Sequence, residues 1–129
     1  MKRTLHKILL VEDDEDIRTI AQIALEDIGG FTVQYCCSGI DALQRINDFQ
    51  PDLIVLDVMM PEMDGPTTLA KLQQAPQGLQ IPVVFMTAKA QAQEIAYYRS
   101  LGVVDVITKP FDPLTLAQTL HQCWEKYYG

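Results

Sequence analysis

The chain has 129 residues, 48% of them apolar and 21% charged, with a formal net charge of −7. That length suits one domain with one core, spanning residues 1–129, and the composition is that of a folded globule. The acidic balance argues against direct contact with nucleic acid, and no apolar run is long enough for a membrane span.

The opening MKRTLHKILLVEDD is basic and then apolar, superficially like a secretion signal. Its apolar stretch covers only Ile8 to Val11, acids follow at once, and no small-residue cleavage site appears. It reads as a first strand, Lys7 to Glu12, and the cytosol is the expected compartment. Glu15 to Ile28 has helical spacing, with Ile17, Ile20, Ala21, Ala24 and Ile28 on one face and Gly29 as its stop. Phe31 to Cys37 is the second predicted strand. Ser38 caps the next helix, with Asp41 at capping-box spacing and Ala42, Leu43 and Ile46 facing inward.

Asp52 to Leu56 is apolar along almost its whole length, as in a parallel strand covered on both sides. The loop VMMPEMDG follows. Pro66 suits the first position of the third helix, Leu69 and Leu72 point inward, and Pro76 ends it. Ile81 to Met86 is a fourth strand. A helix from Gln91 to Ser100 stops at Gly102, and Val103 to Thr108 is a fifth strand. Asp112 and Pro113 open a last helix that carries Leu116, Leu120, Cys123, Trp124 and Tyr127. The three cysteines, Cys36, Cys37 and Cys123, lack metal-ligand spacing and read as reduced core thiols.

Strands alternating with helices through short loops imply βαβ units, hence a doubly wound α/β fold with helices on both faces of a parallel sheet. In such sheets ligands bind beyond the carboxyl ends of the strands. The first strand carries Glu12 and Asp13 there, the third Asp57, the fourth Thr87 and the fifth Lys109. Taken singly, each has a plain reading as a solvated turn, a strand-end hydroxyl or a surface charge. Their joint placement is what points to a site. Crowded carboxylates resist ionising together, and a hard cation such as Mg2+ relieves that repulsion. With no His or Cys ligand set, zinc is disfavoured. A carboxylate such as Asp57 can also act as a nucleophile toward phosphorus, with Thr87 donating a hydrogen bond and Lys109 supplying charge.

The segments ILLVEDDEDIR, DLIVLDVMMPEMDG, VVFMTAKA and VITKPF, in this order and spacing, make the chain resemble the receiver domain of two-component response regulators. The resemblance covers essentially the whole chain. It implies a flavodoxin-like (βα)5 fold with strand order 2-1-3-4-5. It also implies that Asp57 is the phosphoacceptor. Asp13, Asp57 and the backbone carbonyl of Met59 would bind the metal directly, and Glu12 through water. By the same resemblance, Thr87 and Lys109 contact the phosphate, Ala88 is the small residue beside it, and Gly65 is the loop glycine. The Lys109–Pro110 bond is expected to be cis. The phosphoryl donor would be a sensor histidine kinase or a phosphotransfer protein. The output would be a downstream protein or a homodimer, met through the fourth helix, fifth strand and fifth helix. The domain would catalyse its own phosphorylation without being a dedicated enzyme.

The chain departs from the family pattern at Val106, where an aromatic ring is usual; a valine has no ring to swing between inward and outward states, which leaves the Thr87 half of the switch. Met59 and Lys89 occupy two positions tied to acyl-phosphate lifetime. Neither positions water well, so slow self-dephosphorylation is expected. Adjacent Tyr97 and Tyr98 cannot share one helix face, so one is expected in the core. The other is open as a partner contact or a merely exposed ring. His121, Trp124, Tyr127 and Tyr128 are expected to pack. A stand-alone receiver and one cut from a longer regulator both remain open. An aspartate-nucleophile phosphatase would want an acid where Met59 stands. A flavodoxin-like cofactor binder would want glycines and hydroxyls where EDDED stands.

Overall fold

The computed structural model describes residues 4–75 and 81–128. Five parallel strands form one sheet in the order β2-β1-β3-β4-β5. They are β1 (Lys7–Val11), β2 (Thr32–Cys36), β3 (Leu53–Asp57), β4 (Val83–Thr87) and β5 (Asp105–Thr108). The helices are α1 (Glu15–Gln22), running on into a π-helical segment (Ile23–Ile28), α2 (Gly39–Phe49), α3 (Gly65–Gln74), α4 (Ala92–Ser100) and α5 (Leu116–Tyr128). This is the doubly wound, flavodoxin-like fold with the order that the resemblance implied.

Side chains alternate across each strand, so the apolar runs feed two cores. Ile8 and Leu10 pack with Leu25, Val55, Met86, Leu120 and Trp124 under α1 and α5. Leu9 and Val11 pack with Ile46, Leu56, Leu72, Phe85 and Tyr98 under α2, α3 and α4. Every residue of β3 and β4 is buried, as strands covered on both faces must be.

Several boundaries differ from the sequence expectation. β3 and β4 run one residue further, so Asp57 and Thr87 are the last strand residues rather than the first loop residues. The predicted single helix over Glu15 to Ile28 changes pitch at Ile23. There the Gly29 N–H donates to the Ala24 carbonyl at 3.1 Å, an i to i+5 bond. Ala21, Ala24 and Leu25 are buried, while Ile20, before the wider turn, and Ile28, at its end, are 43% and 49% exposed. Gly30, at φ 73°, makes the left-handed turn out of this segment.

Ser38 caps α2 through the Asp41 N–H at 3.0 Å, but the Asp41 carboxylate accepts the Cys37 N–H and pairs with Arg45 rather than completing a reciprocal box. Leu43 is only half-buried. Of the three thiols, Cys36 and Cys123 are buried and Cys37 is exposed, because adjacent strand-end residues face opposite ways. Asp112 caps a turn over 113–115, and α5 begins at Leu116 rather than Pro113. Tyr127 is 45% exposed rather than packed inward, although its ring meets that of Tyr128. His121 is exposed and lies against Phe31 at 5.0 Å. Pro76, expected to end α3, lies outside the described residues.

Candidate functional site

The carboxyl edge of the sheet holds Glu12 just past β1, Asp57 at the end of β3, Thr87 at the end of β4 and Lys109 just past β5. Backbone bonds keep these ends level. The Glu12 N–H donates to the Cys36 carbonyl at 2.9 Å, Val58 N–H to Met86 at 2.9 Å, and Lys109 N–H to Thr87 at 2.8 Å. The α3 start approaches so closely that a Cβ on Gly65 would lie 2.8 Å from the Asp57 carbonyl oxygen and from the Val58 Cα. Both contacts are backbone, so this position takes glycine for steric reasons.

Carboxylate oxygens of Glu12, Asp13 and Asp57 lie within 4.8 Å of one another. Glu12 and Asp57 are buried, and Asp13 is exposed at the mouth. The Lys109 ammonium bridges the two buried acids, at 2.8 Å from Glu12 Oε2 and 2.9 Å from Asp57 Oδ1. Burial pushes the Glu12 carboxyl up to about 7. The hydrogen bond from Lys109 opposes that rise, and the charge of Asp57 adds to it. For Lys109, burial alone would lower the pKa, but its hydrogen bonds to Glu12 and Asp57 outweigh burial and shift it upward. A low-dielectric pocket therefore holds more negative than positive side-chain charge, and all its anionic donors are oxygens. That donor set fits a hard divalent cation.

The Thr87 hydroxyl is buried and accepts the Lys89 N–H at 3.0 Å, which leaves its own proton free to donate. Ala88 is exposed and lines a small cleft of about 210 Å³ with Ile17, Ile20, Lys109, Pro110 and Phe111. The Lys109–Pro110 peptide bond is cis. Met59 is 58% exposed and borders an open groove with Met60, Pro61, Tyr97 and Tyr98. Tyr98 is the inward ring, edge-on to Phe85 at 5.5 Å, and Tyr97 is 55% exposed. Val106 is half-buried against the same core layer.

The structure thus brings Glu12, Asp13, Asp57 and Lys109 into one cluster, with Thr87 joined to it through the sheet. Sequence reasoning passed over Arg18, whose Nη1 donates to the Glu12 carbonyl at 2.7 Å. The only signal available was an arginine in a first helical turn, where its charge opposes the helix dipole.

This fold and this edge define a CheY-like α/β protein with an acidic pocket at the carboxyl ends of its strands. The chain belongs to the response regulator receiver domain family, whose model matches residues 8–121. Among its relatives is the alkaline phosphatase synthesis transcriptional regulatory protein PhoP of Bacillus subtilis. It is 41% identical over 107 residues, which is 83% of this chain and 43% of that protein. An uncharacterized 14.6 kDa protein of Leptolyngbya boryana is 36% identical over 115 residues, 89% of this chain and 87% of that protein. Most of the curated relatives it matches are longer, and the chain spans about half their length, as with 44% of RpaA of Synechocystis. The Vibrio cholerae chemotaxis protein CheY4 superposes with a TM-score of 0.85 at 28% identity, over 93% of this chain and 99% of that one. A response regulator from Desulfuromonas acetoxidans gives 0.84 at 27% identity, over 93% and 97%. Among the described residues, no helix is long and apolar enough to cross a membrane.

Proposed function

We propose that this receiver is a phosphorylation-driven switch whose phosphoacceptor is Asp57. One observation carries the reading: three carboxylates meet within 4.8 Å at the sheet edge, with the Lys109 ammonium between the two buried ones. Glu12, Asp13, Asp57 and the backbone carbonyl of Met59 would hold Mg2+, with Glu12 acting through water. When bound, the ion neutralises negative charge on the transferring phosphoryl group.

An Asp57 carboxylate oxygen attacks phosphorus, the bond from phosphorus to the donor's imidazole nitrogen breaks, and the imidazole leaves with the electron pair of that bond. Lys109, already 2.9 Å from Asp57, follows the charge onto a phosphoryl oxygen. Thr87 donates its free hydroxyl proton to another, and Ala88 keeps the space beside it open. The donor is a sensor histidine kinase or a phosphotransfer protein, and the reading places the domain with that donor in the cytoplasm. The domain catalyses its own phosphorylation and is not otherwise an enzyme. Met59 and Lys89 offer no amide or carboxylate to orient a water, so the phosphoryl group decays slowly.

The new charge on Asp57 biases the loop after Thr87, α4 and β5, and the surface of α4, β5 and α5 meets a downstream protein or a second copy. One relative, RpaA of Synechocystis, is named as a DNA-binding transcriptional regulator, and this chain spans 44% of it. The acidic domain described here makes no direct nucleic-acid contact. Incubation with acetyl phosphate and Mg2+, followed by intact mass measurement, tests the assignment. The wild type gains one phosphoryl group and Asp57→Asn gains none. Equal uptake by the variant would move the phosphoacceptor elsewhere.

A further inference from the structure

Residues 12–16 are an unbroken acidic run, and Arg18 is the first cation after it. Its backbone N–H joins the helical ladder through the Asp14 carbonyl at 3.0 Å. Its side chain folds back over six residues to the Glu12 carbonyl at 2.7 Å. That distance lies at the short end of the range for a charge-assisted bond. The Glu12 amide is already anchored on the other side, to Cys36 of β2. The Asp14 carboxylate is committed to capping α1, at 2.8 Å from the Asp16 N–H and 3.2 Å from that of Ile17. Glu12 Oε1 accepts the Asp14 N–H at 3.3 Å. The amide, carbonyl and carboxylate of both Glu12 and Asp14 are thereby held, and between them the Asp13 carboxylate is exposed at the cluster.

A guanidinium at this place is electrostatically awkward. It sits in a first helical turn, against the positive end of the dipole. It also stands close to the pocket proposed to receive a cation, and like charges repel. We infer that Arg18 is a positioning residue: by holding the Glu12 carbonyl it fixes the Glu12–Asp13 peptide, and so keeps the Asp13 carboxylate in register with Glu12 and Asp57 for a divalent cation. This rests on the magnesium reading above. Groups that orient ligands from behind are worth about tenfold or more in metal affinity.

The sign of the effect separates this role from a purely electrostatic one. Arg18→Met removes both the donor and the positive charge. If charge alone mattered, magnesium would bind tighter. A positioning role makes it bind about tenfold weaker. Titration calorimetry with MgCl2 at constant ionic strength reads this without any phosphoryl chemistry, and thermal unfolding in EDTA is recorded beside it. Weaker binding by Arg18→Met, restored by Arg18→Lys, supports the inference. Unchanged or tighter binding overturns it, including when the variant merely unfolds at a lower temperature. Should Arg18→Met not fold, Arg18→Leu, which likewise has no donor, carries the test with the same sign. A wild type that binds no Mg2+ removes the cation reading and this inference together. A wild type that binds, with a variant that binds equally, removes the inference alone.

Discussion

Helix α5 buries Leu116, Ala117, Leu120, Cys123 and Trp124, whereas α4, on the opposite face of the sheet, buries Tyr98 alone. The strands differ in the same sense. β3 is buried throughout, while only Ile107 of β5 is fully covered. Each large apolar side chain removed from water is worth about 1.5–3 kcal/mol. Displacing α5 would therefore forfeit several such contributions, and shifting α4 disturbs one ring against Phe85. The acids and the hydroxyl proposed for the chemistry stand on the fixed side, at the ends of β1, β3 and β4, while Lys109 reaches them from just past β5, in the corner proposed to respond. The corner proposed to respond is the one with the least burial to lose. A charge placed on Asp57 need supply only a modest bias to move it.

The strongest way to break this comparison is truncation on each helix. Leu120→Ala, on α5, is expected to lower unfolding stability by about 3 kcal/mol, because Leu120 is fully buried and leaves a cavity. Ile95→Ala, on half-buried ground in α4, is expected to cost about 1 kcal/mol. Urea denaturation of both variants checks this, and equal losses would remove the contrast.

A second test concerns the loop between the two regions. Met59 is 58% exposed beside the Asp57 strand end. Met59→Asn is expected to accelerate loss of the phosphoryl group by about tenfold, less than the ~10²–10⁴-fold of a general acid or base, because an amide orients a water without taking its proton. The decay is followed by intact mass after removal of the phosphodonor. A rapidly decaying parent, unaffected by the change, would end the idea that Met59 sets the lifetime.

A further effect is electrostatic and belongs to the fixed side. The Glu12 carboxyl is raised from 4.5 to about 7 in the folded chain, mainly by burial. Between those values the folded state holds a proton that the unfolded chain has released. Stability in EDTA should therefore fall as pH rises from about 4.5 to about 7. Glu12→Gln should flatten that fall. Urea midpoints across this window measure it, and a parallel fall in the variant would assign the slope to other groups.

Much of this was readable in one dimension. Ile8 to Val11, Leu53 to Leu56 and Val83 to Met86 are apolar without a break, as in strands covered on both faces. Pro66 and Gly102 marked helix ends because proline and glycine restrict or free the backbone locally. The acids, the hydroxyl and the lysine could be placed at one edge because parallel strands share a direction. What stayed hidden depended on neighbours remote in sequence. The change of pitch at Ile23 to Ile28 left no local mark, and Ile20 and Ile28 face outward against the helical pattern. Which of Tyr97 and Tyr98 is buried depended on where Phe85 sits. That Cys37 is exposed depended on what covers the end of β2.

By itself the sequence determined the alternation of strand and helix and the kinds of side chain at each strand end, because periodicity and backbone preference act between near neighbours along the chain. Only the tertiary structure decided that Lys109 lies between Glu12 and Asp57, and that Arg18 grips the carbonyl behind Asp13. Those contacts depend on strand order, register and loop path, which local sequence preference leaves open and which packing of the two cores fixes.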